Sequence, residues 1–180
     1  MRTLPAVLAG LAAALATPAL AADDDWPEIK SAPFGAVRPW GAFAHYGGRA
    51  EAAYTRGVTL YAERQGAETV LVARRVRAQD GPAYVDWTDS RACPQLVEAA
   101  RRLERLPMPG LDVPGVGAGA PAGPAADGDS YLLWADQARW RNGRGASLEV
   151  RGSDGSSLAD WMQDAFRRLD GCWRLERPGR

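Results

Sequence analysis

His45 is the only histidine in the chain, so any mechanism that needs an imidazole base must run through it. It stands in Ala44-His45-Tyr46-Gly47-Gly48, and no G-x-S-x-G elbow occurs anywhere to supply a nucleophile. A packing or surface histidine is the expected role. The serines between Gly152 and Ser157 are accounted for by a turn and a helix cap.

Paired carboxylates are the one enzymatic option that needs no histidine. Asp86 and Asp89 flank Trp87, and Asp136 falls within an apolar alternating stretch. An acid–base pair of this kind must hold its two groups at a defined separation, with one carboxyl in apolar surroundings. Asp89 also suits a helix cap. A small hydrolase of envelope polymer, working through Asp86, Asp89 or Asp136, is therefore the enzymatic alternative.

Cofactor chemistry finds no support in the motifs. There is no P-loop and no dinucleotide fingerprint, because the glycines from Gly115 to Gly123 do not lie between a strand and a helix. Asp127-Gly128-Asp129 lacks the later ligands and the closing glutamate of a calcium loop, and reads as a turn. Two cysteines and one distant histidine fall short of a zinc shell. No cofactor and no metal are expected.

Cys93 and Cys172 are the only cysteines. Residues 1–21 have the form of a cleavable signal peptide: Arg2, an apolar run from Leu4 to Ala16, and an A-x-A signal at Ala19 to Ala21, with Ala22 as the new N-terminus. Export to the periplasm or beyond places the two thiols in an oxidising space, where they are expected to pair. Closing a loop of that size stabilises by roughly 4 kcal/mol in the chain-entropy model. No second apolar segment approaches spanning length, so no membrane insertion is expected after cleavage.

Charge narrows the partners. The chain holds 22 basic and 22 acidic residues, and loss of Arg2 with the leader leaves one excess negative charge. Such a balance offers no electrostatic case for nucleic acid or an anionic membrane surface. Seven tryptophans are many for a chain of 180 residues. Trp26 and Trp40 have no assigned burial partner, which makes them candidates for an aromatic partner-binding patch.

The elements that must position these residues follow from periodicity. Residues 22–50 read as an irregular arm, rich in proline and glycine, with at most one short strand near Trp40 to Tyr46. Val58, Leu60 and Ala62 share one strand face, and Val70, Val72 and Val76 share a face of the next, so the two make a hairpin with a longer loop over Glu63 to Glu68. Ala83 to Trp87 is a third strand. A helix follows, with Asp89 or Ser90 as cap, and runs to about Arg105 with Cys93, Leu96, Val97, Ala100 and Leu103 inward. Residues 107–129 carry almost no charge or aromatic group and read as a flexible loop.

Ser130 to Trp140 and Ala146 to Arg151 form a second hairpin around Asn142-Gly143. Ser157 and Asp160 then suggest a capping box, and Leu158, Trp161, Met162, Ala165, Phe166 and Leu169 line one helix face. Cys93 opens the first helix and Cys172 lies just past the second, so a disulfide requires antiparallel helices. The expected fold is α+β, one domain over residues 22–180: about five antiparallel strands in two meanders, with two antiparallel amphipathic helices on one face. The expected function is a protein-binding module of inhibitor, immunity or accessory type, with an envelope or secreted protein as partner.

Overall fold

The computed structural model describes residues 29–30, 34–47, 54–79, 83–109, 128–139 and 145–178. Six antiparallel strands form one sheet: β1 (Gly41–Tyr46), β2 (Tyr54–Gln65), β3 (Glu68–Gln79), β4 (Tyr84–Asp89), β5 (Ser130–Arg139) and β6 (Gly145–Ser153). Their order across the sheet is β4-β3-β2-β1-β5-β6. Helix α1 (Gln95–Leu103) lies between β4 and β5 in sequence, and α2 (Ser157–Leu169) follows β6. The fold is α+β, with six strands rather than about five.

The sixth strand is β1, which falls where the sequence places at most one short strand in the arm, near Trp40 to Tyr46. Its sequence, Gly-Ala-Phe-Ala-His-Tyr, shows no apolar–polar alternation because it sits at the sheet centre and is buried on both faces. Burial on both faces removes the period of two that marks a half-exposed strand. Phe43 pairs with Val58 on one side and Leu133 on the other. The β2–β3 hairpin is also tighter than expected: Gln65 pairs with Glu68 across Gly66-Ala67, and Gly66 supplies the positive φ of 66° that this turn requires.

One sheet face carries the main core. Phe43, Val58, Leu60, Ala73, Tyr131 and Leu133 meet Leu96 and Ala99 of α1 and Leu158, Trp161, Met162, Ala165, Phe166 and Leu169 of α2. Phe43 is its hub, edge-on to Trp161 at 5.0 Å and tilted against Phe166 at 5.4 Å. Trp161 also donates its indole N–H to the Ala99 carbonyl at 3.4 Å, tying α2 to α1. The helix starts differ in detail from expectation. Ser156, not Ser157, caps α2 by accepting the Ala159 N–H. Asp89 does not cap α1; its Oδ1 accepts the N–H groups of Arg91 and Ala92 and closes the turn before Pro94.

Cys93 and Cys172 are joined as a disulfide, with Cα atoms 5.6 Å apart. The bond links the residue ahead of α1 to the 3-10 turn (Asp170–Cys172) that ends α2.

The opposite sheet face is covered by Ile29, Phe34 and Val37 from one side of the sequence and by Arg174 and Arg177 from the other. Ile29 is fully buried against Ala42, Ala44 and Leu132, and its carbonyl accepts the Thr59 hydroxyl at 2.9 Å. Lys30 reaches Glu149 of β6 at 2.8 Å, which holds that carboxyl below the usual carboxylate range together with Arg151. Phe34 packs on Tyr61, Val70, Val72 and Trp87. From the other terminus, Arg174 exchanges both backbone hydrogen bonds with Trp87 at the β4 edge, and Arg177 lies 4.0 Å over the Phe34 ring. Val70, Val72 and Val76 point to this second face, away from the helices.

Asp164 supplies a polar clamp between the helices. It accepts from Arg102 of α1 and Arg167 of α2, both at 2.6 Å, and from Arg168. Hydrogen bonds from Arg168 and Arg167, with Arg102 nearby, hold its carboxyl below the ordinary range. A depressed folded pKa gives stability that is present above the unfolded value near 4 and is lost as pH falls through the folded value. Asp164→Asn is expected to lose about 1 kcal/mol or less at neutral pH, since the cluster faces solvent. Urea unfolding of both proteins from pH 7 downward tests this. A difference that stays constant through acid would rule out the carboxylate as its source.

Candidate functional site

Strand register builds the site. At one end of the helix-covered face, Tyr84, Arg77, Arg56, His45, Tyr131 and Gly152 are direct neighbours in a single row from β4 to β6. The next row inward runs Asp86, Arg75, Val58, Phe43, Leu133 and Val150, where the apolar core begins. Helix α2 lies over the polar row with helical spacing. Gln163 donates to the Tyr131 hydroxyl at 2.9 Å, Phe166 stacks under the Arg56 guanidinium at 4.5 Å, and Asp170 pairs with Arg75 at 3.6 Å. Gln163 and Phe166 share one face of α2, and Asp170, in the 3-10 turn that follows, continues it toward the inner row.

The two ends differ in charge. Toward β5, His45 is 3% exposed, stacks on Tyr131 with ring centres 4.5 Å apart, and meets Asp129 through Nε2 at 2.8 Å. Tyr131 donates its hydroxyl to Asp154 at 2.9 Å, and burial raises its pKa above the ordinary phenol value. Toward β4, Asp86 is 4% exposed, and its Oδ2 accepts Arg75 Nε at 3.1 Å, Arg75 Nη2 at 2.7 Å and Arg77 Nη2 at 2.9 Å. Arg75 also lies 4.5 Å over the Trp173 ring, and burial lowers its pKa from the usual guanidinium value while the hydrogen bond to Asp86 opposes that shift.

Beside this ion-pair cluster a cavity of about 530 Å³ opens, lined by Thr55, Arg56, Arg75, Arg77, Tyr84 and Asp170. Tyr84 stands at its mouth, 60% exposed. Each guanidinium carries planar N–H donors of a geometry that suits carboxylates.

The carboxylates singled out from sequence are not brought together. Asp86 and Asp89 are three residues apart on one strand, so they point to opposite faces; Asp86 pairs across to Arg75 and Asp89 to Val72. Asp136 is on β5, four strands away from β4, a separation of about 19 Å at the usual strand spacing. An acid–base pair of glycosidase type stands about 5 to 9.5 Å apart. His45 is sealed between Tyr131 and the sheet, in keeping with a packing role.

Trp40 is partly buried and packs against the main core; its backbone N–H donates to the Leu60 carbonyl, and its backbone carbonyl accepts the Asp136 N–H. Trp26, the signal segment with Ala19, Ala21 and Ala22, the Asn142-Gly143 turn and most of the 107–129 loop lie outside the described residues. Among the described residues, no group of three His, Cys, Asp or Glu side chains is placed to hold a metal, and no helix is long and apolar enough to cross a membrane.

Arg56, Arg75 and Arg77 were the residues that sequence reasoning passed over. A signal for two of them exists: Arg75 and Arg77 alternate with Val76 and so share a strand face with Ala73. Composition alone does not tell which of two usable faces receives the helices. Comparison with protein-family models, with curated proteins and with solved structures finds no match to this chain.

Proposed function

We propose that the chain is an exported binding module, of inhibitor, immunity or accessory type, that associates with an envelope or secreted protein. Residues 1–21 act as the cleaved leader, and residues 22–180 form the working domain. The observation that supports this reading is the arginine-lined cavity. Its guanidinium groups line an opening, while Asp86 is held in its arginine pair, Asp89 in a turn and His45 in a stack. A rigid face with arginine and tyrosine at an accessible mouth has the composition of a protein-binding hot spot.

Affinity capture tests the proposal. Residues 22–180, tagged at Arg180 and incubated with native envelope extract, are expected to retain one dominant protein in stoichiometric amount after a salt wash. An empty capture would count against a binding role.

A further inference from the structure

We infer that the outer edge of β6 pairs, antiparallel and about a two-fold axis at Val150, with the same edge of a second copy of this chain. The sheet has two edges, and they differ. At β4, Arg174 exchanges both backbone hydrogen bonds with Trp87. Beyond β6 no strand lies among the described residues. An edge strand presents its outward N–H and C=O groups as a template for another strand. One hydrogen bond fixes which residues face outward. Asp136 donates its N–H to the Trp40 carbonyl, so Trp134, Leu132 and Ser130 turn their backbone groups to β1, and Tyr131, Leu133 and Ala135 turn theirs to β6. Their partners Gly152, Val150 and Leu148 point inward, and Glu149 and Arg151 point away from β5.

The side chains of this edge complement those of its own copy. Antiparallel pairing about Val150 sets Glu149 of each copy opposite Arg151 of the other, on the sheet face that carries Lys30. Opposite charges in facing positions stabilise a strand pair, and like charges repel. Within one chain Arg151 already reaches Glu149 at 3.0 Å along the strand. A facing residue is closer, at about 5.5 Å between Cα atoms against about 6.7 Å for that two-residue step. On the helix-covered face Val150 meets Val150. It lines a largely apolar cavity of about 300 Å³ with Leu106, Met108 and Leu158, and Met108 is one of three large apolar side chains left exposed among the described residues. Two-fold pairing brings the two copies of this apolar patch together, so the contact has a dry side as well as a charged one.

Sedimentation equilibrium of residues 22–180, from micromolar to millimolar concentration, is expected to show a monomer–dimer equilibrium. Arg151→Glu sets glutamate opposite glutamate twice in the symmetric contact and is expected to weaken the dimer at least about tenfold. The double variant Glu149→Arg/Arg151→Glu restores opposite charges only where residue 149 faces residue 151, and is expected to recover the dimer. Should Arg151→Glu fail to fold, Arg151→Pro removes an outward N–H while leaving the β5 ladder whole, and is expected to abolish the dimer. A chain that stays monomeric throughout overturns the inference, as does a dimer indifferent to the single changes. A double variant that folds yet stays monomeric overturns the register about Val150. An envelope protein bound by a monomeric wild type and lost with Arg151→Glu assigns the edge to that partner and overturns the second copy. The binding role fails separately, by an empty capture from an extract in which the dimer persists.

Discussion

Replacing Asp86 with alanine is expected to destabilise the fold by about 3 to 5 kcal/mol, the range for leaving a buried charge without its partner. The size follows from where the groups lie. Arg75 is almost wholly enclosed, beneath Trp173 and the end of α2, and Asp86 is the carboxylate that takes two of its N–H donors. Asp170 stands 3.6 Å away and is exposed, so water screens it and it replaces little of the loss. Such a change removes a large share of a typical stability of about 5 to 15 kcal/mol.

The converse substitution should cost less. In Arg75→Met the Asp86 carboxylate keeps Arg77 as a partner at 2.9 Å, and the methionine chain fills part of the space beneath Trp173. Urea unfolding of the two single variants and of the double variant Asp86→Leu/Arg75→Met checks the ordering. The double variant is expected to recover most of the stability, because well-packed apolar groups often match a buried ion pair. A cost below about 1 kcal/mol for Asp86→Ala would show that the pair contributes no more than a surface bridge.

Removing the disulfide is the second large effect, with an expected loss of about 4 kcal/mol for a bridge across 79 residues. The chain-entropy account attributes this to the unfolded state, which becomes free to expand when the crosslink is gone. There is also a local consequence in the folded state. Cys172 ends the turn after α2, and the residues just beyond it, Trp173, Arg174 and Arg177, cover Arg75, the β4 edge and Phe34. Loosening that tail uncovers the arginine cluster. The Cys93→Ala/Cys172→Ala protein should therefore unfold at lower urea and lose amide protection first at Trp87 and Arg174. Equal protection there in both proteins would confine the disulfide's role to the unfolded chain.

Several elements were legible in the sequence because their signals are local. The face of α2 from Leu158 to Leu169 repeats at three and four residues, and all six apolar positions read from that repeat are buried. The pairing of Cys93 with Cys172 followed from their being the only two cysteines, and their places at opposite helix ends agree with the contacts between α1 and α2. The β2–β3 and β5–β6 hairpins announced themselves through turn residues between alternating runs, although the β2–β3 turn is shorter than its residues suggested. Binary patterning and turn chemistry suffice wherever one face is wet and one is dry.

What only the tertiary structure decided is where two dry or two polar faces exist and the chain must choose. β1 has no alternation, because its central place buries both its faces, so residues 41–46 read as one short strand in an irregular arm with nothing to mark it as the centre of the sheet. β3 presents Val70, Val72 and Val76 on one face and Ala73, Arg75 and Arg77 on the other, and Val70 and Val72 meet Phe34 of the N-terminal segment rather than the helices. The arginines then fall under α2, where register alone sets Arg56 beside Arg77 and Asp86 beside Arg75. Register is a property of pairing between strands distant in sequence, and a one-residue slip would turn each of these side chains to the other face. A site assembled across β2, β3 and β4 and closed by α2 thus has no local signature, while the helices, the hairpins and the crosslink that hold it do.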